Sequence, residues 1–388
     1  MRDAVLVSAV RTPIARAKGA LKDMEPSDYG ALVIQEALKR AQVEGDEVDD
    51  VIFGNCLSGG GNIARLSALK AGMPVTTPGL TIDRQCGSGI NSVVLAAEAI
   101  LAGGASIMLA GGAESMTRVP YLMEPPSQAY DRSPPKFIRR ELAPKHIGNP
   151  PMGITAENLV ERYNISREEQ DEFAFQSQQK MKIAMEEGIF REQILPIAIP
   201  GKKGATTLFE HDEHPRPETN LAGLAALPAV FKEGGSVTAG NSSGVNDGAA
   251  ALVLMEGREA EKRGLEPLAR VAGWAVAGVD PHIMGIGPVP ATQKLLKKLD
   301  LKLSDIDLVE VNEAFAAQVI ACDRELHFDP ERLNVTGGAI AHGHPIAATG
   351  SMLVTKLAYE LRRRGAKRGL VTACIGGGQG IALMIERL

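Results

Sequence analysis

Two cysteines and a histidine from distant parts of the chain are the residue types that thioester chemistry needs. In Ile82-Asp83-Arg84-Gln85-Cys86-Gly87-Ser88-Gly89 a short apolar run turns through two glycines into an apolar helical pattern, which puts Cys86 at a helix start. Unpaired N–H groups and the positive end of the helix dipole favour a thiolate there, so the motif predicts a thiol pKa lowered from about 8.5 toward neutrality. A drop of about 2 units corresponds to about 2.7 kcal/mol in favour of the nucleophilic form. A free cysteine in such a turn is as often a small buried hydrophobe, and the motif alone leaves both readings open. In Gly337-Gly338-Ala339-Ile340-Ala341-His342-Gly343-His344-Pro345, small residues let the backbone approach a ligand and Pro345 fixes the chain after His344. His344 is therefore the preferred general base, with His342 as readily a solvated loop residue. A metal site would need a third ligand, and none stands near this pair. Cys374 ends the buried run Gly369-Leu370-Val371-Thr372-Ala373, and Gly376, Gly377 and Gly378 after it offer backbone N–H groups to a thioester oxyanion. Such a loop could equally hold phosphate, but it lacks the Lys and Ser/Thr of a P-loop. Asn312, where Val309-Glu310-Val311 passes toward a helix, is either a helix cap or an amide that holds a water against a substrate oxygen.

The elements that must position these groups read as α/β. Strands are predicted at Ala4–Val10, Val51–Phe53, Leu80–Asp83, Ile107–Ala110, Leu308–Val311 and Leu333–Thr336, and helices over Asp28–Ala41, Ser88–Leu101 and Thr292–Leu299. Short Val/Ile/Leu runs alternating with helices argue for largely parallel sheets, whose C-terminal strand edges bind ligands. Cys86, Asn312, His344 and Cys374 all fall on such edges. The layout also repeats. Val43–Val51 and Leu301–Leu308 share one pattern, and Gly103–Gly112 and Arg364–Ala373 share another, which implies two copies of one domain. Between them the prolines from Pro120 to Pro151 forbid long regular elements. That insert should be surface loop with one marked helix, opened by a Ser166/Glu169 capping box and closed by Gly188, and placed to cover the site. Its basic residues Arg132, Lys136, Arg139, Arg140 and Lys145 are candidates for an anionic nucleotide.

Bulk properties narrow the function classes. A chain of 388 residues with 44% hydrophobic and 23% charged content can bury more than one core. A net charge of -5 with mixed signs leaves no basic face for nucleic acid, and no apolar run has membrane-spanning length. Met1 leads straight into a strand-like run rather than a signal peptide, so a cytoplasmic location is the default expectation, with Cys56, Cys86, Cys322 and Cys374 reduced. Cys56 and Cys322 are assigned to packing.

Taken in order, the motifs resemble the thiolase family over essentially the whole chain. They are Arg11-Thr12-Pro13, Cys86-Gly87-Ser88-Gly89, Gly111-Gly112-Ala113-Glu114-Ser115-Met116, Met152-Gly153-Ile154-Thr155-Ala156-Glu157-Asn158, Thr238-Ala239-Gly240-Asn241-Ser242-Ser243-Gly244, Asn312-Glu313-Ala314-Phe315, Gly343-His344-Pro345 and Cys374-Ile375-Gly376-Gly377-Gly378. The resemblance implies two repeated thiolase-type α/β domains, a mixed sheet between helix layers, with a loop-rich domain inserted in the first. Residues 1–117 with 247–267 would form the first domain, 118–246 the insert and 268–388 the second domain. It implies coenzyme A and acyl-CoA as substrates, no bound cofactor or metal, and a homodimer or homotetramer. By that likeness Cys86 carries the acyl group, His344 activates it and Cys374 exchanges a proton with the α-carbon. Asn312 would hold a water that forms one oxyanion site with His344, and the N–H groups of Cys86 and Gly376 would form the other. Ser243 would meet the pantetheine arm, and Met152, Phe315, Phe231 and Ala239 would contact substrate.

Three departures bear on substrate size. The chain reads Ile346-Ala347-Ala348-Thr349-Gly350 where the family commonly has Ile/Leu-Gly-Ala-Ser-Gly, Gln379 stands at a usual Met, and Pro151 precedes Met152 as in degradative 3-ketoacyl-CoA thiolases. Extra methyl groups at Ala347 and Thr349 could narrow the pocket or shift the His344 loop. The expectation is thiolytic cleavage of 3-ketoacyl-CoA. Its alternatives are an acetoacetyl-CoA-specific acetyltransferase, a decarboxylating condensing enzyme, which would want a histidine at 374, and a non-catalytic acyl-CoA carrier.

Overall fold

The computed structural model describes residues 2–58, 60–130, 132–201 and 205–388. Its centre is one ten-stranded mixed sheet, in the spatial order Leu308–Val311, Arg368–Ile375, Gln379–Glu386, Ala269–Gly278, Ala4–Arg11, Asn246–Glu256, Ile107–Ser115, Asp50–Gly54 and Gly79–Ile82, with the short Ala15–Arg16 strand beside Asn246–Glu256. The antiparallel pairing of Ala4–Arg11 with Ala269–Gly278 joins two halves. In the first half the strands lie in the chain order third, second, fourth, fifth, first. The second half repeats that order, its third strand reduced to a single parallel bridge between Val309 and Leu333. The paired sequence segments occupy equivalent strands, so the repeat is structural.

Two expectations change here. The sheet is mixed, as the family resemblance implied, and not largely parallel as the alternation of strands and helices implied, because the last two strands of the second half join as a tight hairpin through Gly376–Gly378, and a hairpin can only pair antiparallel strands. Leu333–Thr336 is no strand: Asn334 takes φ 44°, and its side chain accepts from Val311 N–H at 2.8 Å, which turns the backbone away after one bridge.

Helices fill three layers because each presents one apolar stripe. Ser88–Leu101 and Ile346–Arg364 share a single core with the inner face of both sheet halves, through Ile90, Val93, Leu353 and Leu357 against Ile52, Leu252, Val371 and Ile381. Pro26–Ala41 covers the outer face of the first half with Tyr29, Val33 and Ile34, and Pro288–Leu299 covers that of the second with Leu295 and Leu296. The two central helices touch where Gly89 meets Gly350; a Cβ on either would overlap backbone of the other helix. That close crossing sets the start of the Cys86 helix against the start of the helix that follows His344.

The insert is more helical than its prolines suggest. Met152–Tyr163 is a second long helix beside Arg167–Glu186, because Pro151 sits at its N-cap, where proline starts a helix rather than breaking one. The described residues of 118–150 remain mostly exposed loop.

A buried ion pair locks the layer behind the site. Lys356 reaches Glu310 at 2.9 Å and also donates to the Gly337 carbonyl, tying the helix after His344 to the strand before Asn312. Burial pushes the Glu310 carboxyl up to about 7, against the pull of Lys356. Lys356→Met strands that carboxyl and is expected to cost about 3 kcal/mol of stability in urea unfolding; an unchanged midpoint would show the pair to be dispensable.

Candidate active site

Cys86 sits half-buried in the tight turn Gln85–Gly87, which runs directly into Ser88–Leu101. Gln85 has φ 44°, a left-handed conformation that costs a non-glycine residue about 1 kcal/mol or more. Ser88 holds it there: its hydroxyl accepts from Arg84 N–H at 2.8 Å and donates to the Gln85 carbonyl at 2.7 Å. The backbone N–H groups of Gly376 and of Cys86 itself lie near enough to the sulfur to favour its thiolate. Those donors pull the thiol pKa down, but burial outweighs them and pushes it up to about 11. The expected shift toward neutrality is therefore wrong in sign, because the desolvation of the sulfur outweighs the N–H groups at the helix start. Cys86 is a thiol at rest and needs a base.

His344 is placed to be that base. Its turn packs where the Ile346–Arg364 helix meets Gln85–Gly87, and its backbone N–H is held by Asn246 Oδ1 at 2.9 Å. Burial lowers its pKa to about 4, so the imidazole is neutral and able to accept a proton. Thr349 decides which nitrogen does so. Its hydroxyl donates to the Pro345 carbonyl at 3.1 Å, so toward His344 Nδ1, 2.6 Å away, it accepts. Nδ1 then carries the hydrogen and Nε2 keeps its lone pair toward Asn312 Nδ2 at 3.4 Å. The Thr349 departure thus leaves a hydroxyl beside the imidazole. Thr349→Val is expected to lower kcat about 10²-fold with little change in KM; full activity would show that the tautomer is set elsewhere.

Asn312 is not a helix cap. The strand ends at Val311 and the next helix starts at Ala316 behind Phe315, leaving Asn312 fully buried, its amide at His344 and its Oδ1 with no hydrogen-bond partner among the described residues. Cys374, at the end of Arg368–Ile375, is fully buried among Ala156, Val237, Met284 and Phe315 with Met152 against them. Burial, then the neighbouring Cys86 sulfur, raises its pKa well above that of a free thiol.

Of the remaining sequence candidates, Phe231 and Ser243 lie beside Phe315 of this core. Phe231 stacks edge-on against Phe315 at 6.0 Å between centroids, and Ser243 N–H donates to the Ala314 carbonyl at 3.0 Å, which seats its loop beside Phe315. Ala239 is exposed and lines a cavity of about 280 Å³ with His214, Arg216, Leu224 and Leu227. Sequence reasoning missed Arg216 and His214, which carry no motif of their own. It also missed Leu142 of the insert, which packs over Gly376, where an added Cβ would lie 2.9 Å from its Cδ1. Of the basic set in the insert, Arg140 is committed to the Cys56 and Leu57 carbonyls, while Arg132, Lys136, Arg139 and Lys145 are exposed. His342 is buried rather than solvated: Gly338 to Gly343 coil into a short helix that turns it inward, its Nδ1 2.8 Å from the Gly343 carbonyl. Cys56 lies under the Cys86 turn and Cys322 in the outer core. Among the described residues no cluster could hold a metal ion, and no helix is long and apolar enough to cross a membrane.

Comparison with known proteins agrees with this arrangement. The family model for the thiolase N-terminal domain matches residues 4–258 and that for the thiolase C-terminal domain residues 265–387. The chain is 47% identical to an acetyl-CoA acetyltransferase of Syntrophomonas wolfei and 46% identical to the beta-ketothiolase BktB of Cupriavidus necator, each over 100% of both chains. The structure of human mitochondrial 3-ketoacyl-CoA thiolase in complex with CoA superposes with a TM-score of 0.92 at 44% identity, covering 100% of this chain and 98% of that one. The chain belongs to the thiolase family and is an acyltransferase.

Proposed function

We propose that the chain cleaves 3-ketoacyl-CoA with coenzyme A, giving acetyl-CoA and a shortened acyl-CoA through an acyl group on Cys86. The observation that carries this is that the Cys86 turn packs against both the helix that follows His344 and the strand that ends at the buried Cys374 thiol. In the first half-reaction His344 Nε2 takes the Cys86 proton as the sulfur attacks the 3-keto carbon. The alkoxide oxygen that forms collects charge, and preorganised donors stabilise it there more than water could. The bond between C2 and C3 then breaks, its electron pair forms the enolate of acetyl-CoA, and Cys374 protonates C2. A thiol whose pKa is raised by burial suits that task, since it stays protonated until a strong base such as an enolate meets it. In the second half-reaction the thiol of incoming coenzyme A gives its proton to the Cys374 thiolate and attacks the acyl thioester, and the released Cys86 sulfur takes back the proton held by His344. Asn312 Oδ1 and the imidazole edge provide one polar pair for a bridging water and a substrate oxygen. The Cys86 and Gly376 N–H groups provide the other.

The acyl group would lie against Met152, Phe231 and Phe315. The cavity beside Ala239, with Arg216 at its wall, would take part of the nucleotide end of coenzyme A, in place of the basic set in the exposed loop. Arg216→Ala is expected to raise KM for coenzyme A about tenfold at unchanged kcat; an unaltered KM would move the nucleotide elsewhere. A second reading, condensation of two acetyl-CoA molecules, is favoured by the acetyl-CoA acetyltransferase relative. A kinetic series of 3-ketoacyl-CoA substrates of rising chain length decides between them. Turnover that persists beyond four carbons supports the broad degradative type, for which Pro151 before Met152 speaks, and turnover confined to acetoacetyl-CoA rejects it.

The resting protonation states give a pH test. With Cys86 held up to about 11, its alkylation by iodoacetamide is expected to accelerate with pH through neutrality without levelling below about pH 9. A plateau near pH 7 would mean a preformed thiolate.

A further inference from the structure

The run Gly111-Gly112-Ala113-Glu114-Ser115-Met116 has no part in the chemistry above, yet its acid is among the most heavily hydrogen-bonded groups in the molecule. Glu114 is fully buried at the end of the Ile107–Ser115 strand, and no cation pairs with it among the described residues. Its carboxylate instead accepts from three successive backbone N–H groups, those of Cys56 at 3.0 Å, Leu57 at 3.1 Å and Ser58 at 3.0 Å. The Ser58 hydroxyl at 2.8 Å and the Asn55 amide at 3.4 Å complete the set. Consecutive N–H groups converging on one anion form a rigid nest, so the carboxylate dictates the path of residues 56–58.

That segment is the bed on which the Cys86 turn rests. Cys56 Sγ lies 3.2 Å from Ser88 Oγ and 3.5 Å from the Gln85 carbonyl, the two groups that hold Gln85 left-handed. From the other side Arg140 of the insert donates to the Cys56 and Leu57 carbonyls. Direct contacts therefore run from Glu114 through the Cys56 segment to Ser88 and the Gln85 carbonyl, and so to the residue that precedes Cys86.

We infer that Glu114 is a positioning residue for Cys86: its carboxylate moulds the 56–58 segment that holds the strained Gln85 turn. This rests on the reading of Cys86 as the acyl carrier. The charge acts in the same direction as burial, which is the main cause of the raised Cys86 thiol, with Glu114 adding repulsion of a thiolate. The nucleophile is thereby kept protonated until His344 takes the proton with substrate in place.

The test measures turnover and the pH dependence of Cys86 alkylation by iodoacetamide in the full chain. Exposure of the wild type to acyl-CoA comes first; absence of an adduct on Cys86 by mass spectrometry would reject the underlying reading, independently of Glu114. Given the adduct, Glu114→Gln is expected to lower kcat about 10²-fold with KM for coenzyme A nearly unchanged. Losing the negative charge favours the thiolate, so alkylation should become about tenfold faster at a fixed pH below the midpoint. A Gln variant with wild-type kcat and a wild-type alkylation profile overturns the inference. So does a slowed variant with an unshifted profile, since that is mere structural damage. Should Glu114→Gln fail to fold, Cys56→Ala decides, because it leaves the nest and the charge in place. Slower turnover with an unchanged alkylation profile supports the inference, and wild-type turnover overturns it.

Discussion

Cys86→Ala is expected to lower turnover of acetoacetyl-CoA with coenzyme A by about 10⁴-fold or more, the scale on which a covalent nucleophile is missed when its partners stay in place. The fold should survive. Cys86 is only half-buried, and the turn is held by Ser88 and the Gln85 carbonyl rather than by the sulfur. Loss of activity with an unchanged unfolding curve, together with loss of the acyl adduct on residue 86, is the expected outcome. Wild-type turnover by this variant, or an adduct that persists on another residue, would end the proposed mechanism. A variant that binds acyl-CoA normally with wild-type protein that never acquires an adduct would instead favour a carrier.

Cys374→Ser is expected to separate the two kinds of chemistry. Acyl transfer between thiols needs Cys86, His344 and an oxyanion site, whereas breaking or making the bond between C2 and C3 also needs proton exchange at C2. The serine hydroxyl sits at the same place but holds its proton far more tightly than a thiol. Carbon–carbon cleavage should therefore fall about 10³-fold, the range for loss of a general acid, while exchange of an acyl group between two pantetheine thiols is expected to fall far less. Hydrogen–deuterium exchange at the methyl group of acetyl-CoA, read by mass spectrometry, should disappear with cleavage. Equal losses in both reactions would remove the distinct role for Cys374. The burial of this residue makes the test clean, since no bulk water competes for the proton.

The repeat has a mechanical consequence for both variants. Cys86 follows the third strand of the first half, and Cys374 ends the fourth strand of the second. The pseudo-symmetric joining of the halves through their first strands, with the two central helices crossing at Gly89 and Gly350, sets their active ends face to face. Neither half holds the complete group of residues. A substitution such as Gly350→Ala, remote from any reacting atom, would push the helices apart, separating the Cys86 turn from His344.

The sequence by itself determined what local chemistry can determine. Apolar periodicity marked the Ser88–Leu101 helix and the main strands, turn glycines marked the exits where reactive residues stand, and the faint internal similarity of 43–51 with 301–308 foretold the repeated strand order. Residue type and position at strand exits made Cys86, His344, Cys374 and Asn312 candidates, and the resemblance of the motifs taken together gave them their roles. Only the tertiary structure decided the rest. Whether Cys86 is a thiolate depended on how much water the packed helices leave beside it, and burial outweighed the helix start. Which imidazole nitrogen is free depended on a hydroxyl one helical turn away. Asn312 was taken from cap to site because the chain delayed its helix to Ala316, and Leu333–Thr336 lost its strand to the left-handed Asn334. Glu114 sat in plain view among the motifs, but its contacts reach back 56 to 59 positions along the chain. Spacing rules read neighbours within a helix turn or a strand pleat, whereas protonation states and hydrogen-bond partners are set by whatever the fold brings alongside.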